Sequence, residues 1–238
     1  MVPKKLSKYQ GIIMDIKSSV NSKGDLKKLI NADFIDVFNE RLTDYIQKKI
    51  TEYDFNYYDV TTSERDQWIQ KIIDVIYFST LEKAGNKRHE KWEEGWRENL
   101  DKFVSSSKVT DITPLYFGKY NVIRWKQRFI KPVKENFENN SLAIIQDWLF
   151  DKYMRNTSSI YEFGCGTGHN LFRVRSVNSD ARIWGLDWSL SSQKIIQKIA
   201  HDGIDHNIFP YYFDFFDPDY NFILEENAIV FTSAAIEQ

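Results

Sequence analysis

Three carboxylates and a run of glycines are the residues of this 238-residue chain whose types and spacing can do chemistry together. In Glu162-Phe163-Gly164-Cys165-Gly166-Thr167-Gly168-His169-Asn170, glycine recurs at every second position directly after the short apolar run Ile160-Tyr161-Glu162-Phe163. Glycines placed this way let the backbone turn sharply and come close to a ligand. The first N–H groups of a following helix, unpartnered within the helix, face the same crevice. Asp187 stands 19 positions after Gly168, and Asp214 27 further on, each ending another apolar run. A dinucleotide loop has the spacing G-x-G-x-x-G and offers helix amides to a pyrophosphate. Here the spacing is G-x-G-x-G with Glu162 just upstream, and a carboxylate facing the loop repels a pyrophosphate but pairs with a cation. A ligand with an ammonium group, a ribose and an adenine fits three carboxylates on three successive strand ends.

Those side chains need strands that end at one edge. Ile160–Phe163, Ala181–Asp187, Ile208–Phe213 and Ala228–Thr232 read as short strands, separated by helices over Asn170 to about Val177 and Leu190–His201, the latter ended by Gly203. Strands and helices alternating at this spacing predict βαβ units and a Rossmann-like, doubly wound parallel sheet with helices on both faces. A helix capped by Asn140 or Ser141 runs through Leu142, Ile145, Leu149 and Tyr153. Before residue 138 the texture is mainly α-helical. Phe34, Val37, Phe38, Leu42, Tyr45 and Ile46 form one core stripe, Trp68, Ile72, Ile73, Ile76 and Tyr77 another, and Trp92, Trp96, Leu100 and Phe103 a third. The tryptophans could alternatively line a pocket for a ring-shaped substrate. Tyr120–Val133 is read as a further helix whose Arg124, Lys126, Arg128 and Lys131, with Lys134, form a solvated face. The division expected is residues 1–137, helical, and 138–238, the α/β domain.

Composition narrows the function classes. Hydrophobic residues at 42% and charged residues at 28% describe a chain that can build a core, and the mean hydropathy is −0.50. No apolar run approaches the ~18 residues that span a bilayer, so no membrane partner is expected and the compartment expected is the cytoplasm. One cysteine, Cys165, rules out an internal disulfide and a cysteine-built metal cluster; no metal site is expected. Residues 1–160 carry 27 Lys+Arg against 23 Asp+Glu, and residues 161–238 five against 11. Neither half has the basic excess of a nucleic-acid binder.

With those motifs in place, residues 158–238 resemble the first half of a class I S-adenosylmethionine-dependent methyltransferase. The stretch Glu162 to Gly168 matches that family's first motif, and the resemblance implies that Glu162, Gly164, Cys165, Gly166 and Gly168 cradle S-adenosyl-L-methionine. It further implies that Asp187 bonds the ribose hydroxyls with Trp188 beside the adenine, and that Asp214 accepts from the adenine amino group while Phe215 covers the ring. Val230 to Gln238, with Thr232, is similar to the fourth strand and the loop that faces the methyl donor. The activity implied is in-line methyl transfer; the aromatic content of the first region, including Tyr53, Phe55, Tyr57 and Tyr58, fits a small-molecule or sugar-like acceptor, such as a glycan precursor, as well as it fits packing, and no nucleic acid is expected. His169, Glu237 and His89 are the candidates for a general base. Cys165 reads as a packing residue of the loop. By analogy, residues 1–137 form a lid, select the acceptor or build a dimer surface.

The family's sheet has seven strands, whereas four are read here, leaving the fourth as an exposed edge. A fragment of a longer enzyme is the favoured expectation; a homodimer or partner subunit covering that strand, or the helical region folding over it, are the others. Two rival readings are a non-catalytic nucleotide-binding half fold that assembles with a partner, and a nicotinamide-dependent oxidoreductase.

Overall fold

A computed structural model describes residues 24–78, 85 and 88–236. The second half holds a parallel sheet of β5 (Ser159–Phe163), β6 (Arg182–Asp187), β7 (Ile208–Tyr212) and β8 (Ile229–Phe231), in the order β7-β6-β5-β8. Register runs Glu162 opposite Gly185 and Phe231, and Asp187 opposite Tyr212. The chain thus lays down three strands outward in one direction and returns to place β8 on the far side of β5. That reversal makes the β5/β8 junction a switch point, where parallel α/β sheets open a crevice at the carboxyl ends of their strands. The fold is Rossmann-like, with element limits within two residues of those read from the sequence.

Helices α6 (His169–Val177) and α7 (Leu190–His201) connect the first three strands. Leu171 and Val174 of α6 and Ile195, Ile196 and Ile199 of α7 pack with Ile160, Ile183 and Ile208 on one face of the sheet. Among the described residues the other face carries an aromatic ladder instead of helices. Tyr161 stacks on Trp184 at 6.0 Å, Trp184 meets Phe209 at 4.9 Å, and Phe222 closes on Tyr211 at 3.9 Å. The physical reason is the β7–β8 crossover. It traverses this face as irregular chain through Asp217-Pro218-Asp219, turned by the Asp214 and Asp219 carboxylates accepting from Phe216 N–H and Asn221 N–H.

Gly185 lets the helices approach the sheet. A Cβ there would lie 2.5 Å from Ile196 Cδ1, 2.9 Å from Leu171 Cδ1 and 3.1 Å from Cys165 Sγ, all buried groups of both helices and the glycine loop. Gly185→Ala is therefore expected to lower stability by about 1–3 kcal/mol through overpacking, read as a lower urea midpoint at unchanged m-value.

The first half is mainly helical, as expected, and adds a four-stranded antiparallel sheet that the sequence reading missed. Its order is β1 (Lys27–Lys28), β2 (Asn56–Asp59), β4 (Arg128–Pro132), β3 (Ile123–Trp125). The helix expected over Tyr120–Val133 is instead the β3–β4 hairpin, with Ile123 opposite Ile130 and Trp125 opposite Arg128. Lys126 and Gln127 form its two-residue turn at φ of 45° and 65°, the conformation such hairpins require. On β3 the exposed Arg124 stands between Ile123 and Trp125 at period two, and Trp125 and, on β4, Ile130 are buried. Period two belongs to a strand with one wet face, and the run was too short to separate it from a helix.

Helices α1 (Asn31–Phe38) and α2 (Asp44–Glu52) supply Phe34, Ile46 and Ile50 to a core shared with Phe55, Tyr57, Trp125 and Ile130. The stripe expected to be core on α3 (Thr62–Tyr77) is corrected: Ile72, Ile73, Ile76 and Tyr77 are exposed, Trp68 is half-buried, and α3 buries no residue. Its first turn needs no core, because Thr61 and Glu64 cap it reciprocally and Glu64 pairs with Lys131 of β4. Helix α5 runs Phe137–Tyr153, so it starts earlier than expected and Asn140 and Ser141 lie inside it. It joins the two halves: Phe137 and Ile144 sit in the first core, Phe150 in the second. Helix α4 (His89–Ser106) crosses the same boundary, burying Phe103 in the core of the parallel sheet.

Candidate functional site

A cavity opens at the β5/β8 junction, lined by the glycine loop, the ends of β6, β7 and β8, and the start of α4. The loop is built for close approach: Gly164, Gly166 and Gly168 have φ of 72°, 54° and 76°, a region costly for residues with a Cβ. A Cβ on Gly164 would lie 2.3 Å from Ala235 Cβ, so the loops after β5 and β8 touch there. Leu186 C=O of β6 accepts from Gly164 N–H at 2.7 Å and Cys165 N–H at 3.0 Å, and Ser192 of α7 donates its hydroxyl to Gly166 C=O.

Asp187 holds the loop from the other side. Its Oδ2 accepts from Gly166 N–H at 2.8 Å and its Oδ1 from Ser189 N–H at 2.9 Å. Burial raises its pKa to about 6; the two N–H groups oppose that rise, and the charges of Glu93 and Asp214 add to it. Glu162, 1% exposed, sits deeper. Its Oε1 accepts from Asn170 Nδ2 at 2.7 Å, whereas Oε2, like Asn170 Oδ1, has no partner among the described residues. Burial raises the Glu162 pKa to about 8, only partly countered by Asn170, with the neighbouring Asp187 pushing it further up. Two raised carboxyls beside a glycine loop make a site that is short of positive charge.

Sequence-predicted residues distribute as follows. Glu162, Gly164, Cys165, Gly166, Asp187, Trp188, Asp214 and Phe215 line the cavity, as do His89 and His169. Gly168 does not; it turns the chain into α6 as its left-handed N-cap, with Ile196 and Leu171 close by. Thr232 does not either: it lines a separate groove with Gln146, Leu149 and Tyr153 of α5, since β8 ends before it and Ser233 is the first residue of that loop to reach the cavity. Burial pushes the Cys165 thiol well up, and its Sγ lies 3.6 Å from Ser192 Oγ. The His169 imidazole is pushed down to about 3 by burial and by Arg173, so it is neutral at ordinary pH and a feeble base. Glu237 lies outside the described residues.

Sequence reasoning put the wall that α4 raises over the cradle second, reading Trp92 and Trp96 as core first and as the lining of a ring pocket only as the alternative. Arg88, His89, Trp92 and Trp96 line the cavity together with Tyr116. Trp96 rests on the glycine loop, where a Gly166 Cβ would come within 2.9 Å of Trp96 Cζ2. Trp92 and Trp96 lie 5.4 Å apart at 31°, Tyr116 stands near both, and His89 stacks on Trp188 at 4.1 Å and 17°. Glu93 bolts the wall down, its carboxylate accepting from the Ser189 and Ser191 hydroxyls, both at 2.6 Å. Burial alone would raise the Glu93 pKa; the serine donors hold it below the ordinary value, which also keeps a negative charge at the N-terminus of α7. The only signal in the sequence was the i, i+4 pair Trp92/Trp96, which serves a core and a pocket equally well. Nothing marked Arg88, Tyr116 or Glu93.

No protein-family model matches the chain, and no curated protein matches it in a sequence comparison. Comparison of structures finds it similar to the [4+2]-cyclase SpnF (18% identity, 54% of this chain and 44% of that one, TM-score 0.36). It is also similar to coclaurine N-methyltransferase bound to N-methylheliamine and SAH (13%, 65% and 47%, TM-score 0.33). A third is geranyl diphosphate methyltransferase in complex with GPP and sinefungin (15%, 53% and 50%, TM-score 0.31). The chain spans about half the length of these structures. By its own strand order, glycine loop and acidic strand ends, the second half of the chain is a Rossmann-like α/β fold of the kind that the resemblance to class I S-adenosylmethionine-dependent methyltransferases implies.

Proposed function

We propose that this chain binds S-adenosylmethionine in the cradle between β5 and β8 and transfers its methyl group to a small-molecule acceptor. The observation that carries the reading is Glu162: a carboxyl buried under the glycine loop, with one oxygen unpartnered among the described residues and its pKa raised to about 8. A buried acceptor left unpaired costs about 1–3 kcal/mol, and a cationic ligand with N–H donors recovers it. A dinucleotide would bring a pyrophosphate to the same crevice, where Asp187, ionised above about pH 6, repels it, and that disfavours a nicotinamide cofactor.

The residues present fit the group. Gly164 and Gly166 line the cavity, Glu162 and Asn170 offer oxygens unpaired among the described residues, Asp187 and Asp214 stand at the ends of β6 and β7, and Trp188 and Phe215 provide ring faces. When bound, the cofactor supplies a methyl carbon whose bond to positively charged sulfur breaks as an acceptor lone pair attacks, the bonding electrons staying on sulfur. The chain's own part is positioning. Holding two reactants at near-attack distance is worth up to roughly 7–11 kcal/mol, and the α4 wall also screens the crevice from water. His169, held neutral, adds no positive charge against the donor.

Isothermal titration of the full chain with S-adenosylhomocysteine, and separately with NAD⁺, tests this. Saturable one-to-one binding of the first with no heat from the second is expected; the converse result would overturn the assignment in favour of an oxidoreductase.

A further inference from the structure

The acceptor's chemistry can be read from the wall opposite the carboxylates, an inference that rests on the cofactor reading above. The cavity is electrically lopsided. Glu162, Asp187 and Asp214 all belong to the strand-end side, whereas the residues α4 and its approach contribute are Arg88, His89, Trp92 and Trp96. Arg88 lies over the Trp92 ring at 5.2 Å, and among the described residues it forms no ion pair with a carboxylate. Among those residues its Nε is buried without an acceptor, and so is Trp92 Nε1. The wall therefore presents donors lacking acceptors, set among rings: Trp92 and Trp96 at 5.4 Å, with Tyr116 within 6.4 Å of both.

Each feature excludes something. Trp92, Trp96 and Tyr116 pack on one another and together line the cavity, and that aromatic surface favours a flat apolar body over a polyhydroxylated one. Buried donors need oxygen on the ligand, and a guanidinium with no carboxylate partner needs a negative one. A cationic acceptor would meet Arg88 as a like charge. The wall is also preformed, because Glu93 fixes α4 to the α7 N-terminus through two serine hydroxyls and Trp96 is seated on Gly166.

We propose that the α4 wall selects a planar methyl acceptor that carries a negative charge, with Arg88 as its charge contact and Trp92, Trp96 and Tyr116 as its ring contacts. The sugar-like acceptor entertained from composition is disfavoured by the same rings.

Three probes of one size decide the matter: 4-hydroxybenzoate (anionic), 4-hydroxybenzyl alcohol (neutral) and tyramine (cationic). Each is titrated into the full chain saturated with S-adenosylhomocysteine, with quenching of tryptophan fluorescence as the readout. The anion is expected to bind at least about tenfold more tightly than the other two. Arg88→Met should erase that preference by weakening the anion, and Trp96→Leu should weaken all three probes. Equal, reversed or undetectable binding of the three would overturn the proposal, as would an anion preference that survives Arg88→Met. Failure of S-adenosylhomocysteine itself to bind the wild-type chain strikes the cofactor reading instead, so the two failures are distinguishable. Near-UV circular dichroism of each variant establishes that packing is retained.

Discussion

Asp187→Ala is expected to lower both ligand affinity and stability, and Asp187→Asn to do nearly as badly. One carboxylate does two jobs here: its oxygens accept from Gly166 N–H and Ser189 N–H, and the same side chain faces the cavity. Alanine leaves two N–H groups buried and unpaired and releases the glycine loop from the end of β6. Loss of charge-assisted bonds, at about 1.5–3 kcal/mol each before relaxation, predicts a destabilisation of about 3 kcal/mol. Weakening of S-adenosylhomocysteine by about 1–3 kcal/mol follows as about 5- to 150-fold in Kd. Asparagine is no rescue, because an amide has only one acceptor atom and must turn its NH₂ toward one of two donors. Urea denaturation and calorimetric titration of the two variants measure the two effects separately. Wild-type affinity in a folded Asp187→Ala protein would remove Asp187 from the site, and wild-type stability would remove it from the loop.

The contrast between legible and illegible parts of this chain follows the range of the forces involved. The parallel sheet was legible because each βα unit is local: Ser159–Phe163 leads into glycines and then α6, and Leu190–His201 matched the observed helix end to end. The carboxylates came with it, since Glu162, Asp187 and Asp214 are fixed by strand ends. What failed depends on partners distant in sequence. The β3–β4 hairpin is recognisable as sheet only once Tyr58 of β2 pairs with Lys131. Exposure of the α3 stripe depends on the absence, among the described residues, of anything packed against it, and periodicity carries no information about that. The α4 wall is the clearest case. Trp96 reaches Gly166 and Glu93 reaches Ser189 across 70 and 96 positions of chain, and neither residue type at either place announces the contact. Half of the cavity was therefore visible in the sequence, the half made by strand ends, and the half made by α4 was read there only as an alternative to a core stripe.

The raised carboxyls make both stability and cofactor binding pH-dependent, in opposite senses. With a pKa raised from 4.5 to about 8, Glu162 retains its proton in the folded ligand-free chain over a range where the unfolded chain has lost it. Between those values the folded state binds more protons, so stability falls as pH rises and is fully present only below about 4.5. Asp187, raised from 3.8 to about 6, adds the same sign over its narrower window. Glu162→Gln, which keeps the shape and removes the titration, is expected to be more stable than wild type at pH 8 and to lose most of the slope between pH 6 and 8. A cationic ligand reverses the preference, because it favours the carboxylate and must expel the proton to gain it. Below pH 8 the affinity for S-adenosylmethionine should therefore rise with pH, approaching tenfold per pH unit well below 8 and totalling about 50-fold from pH 6 to 8. Titration at pH 7 in buffers of different ionisation enthalpy should show about one proton released per ligand bound. In Glu162→Gln the release should vanish and the affinity should be lower and flat across the same range. A wild-type affinity independent of pH would mean that the buried carboxyl does not meet the ligand's positive charge.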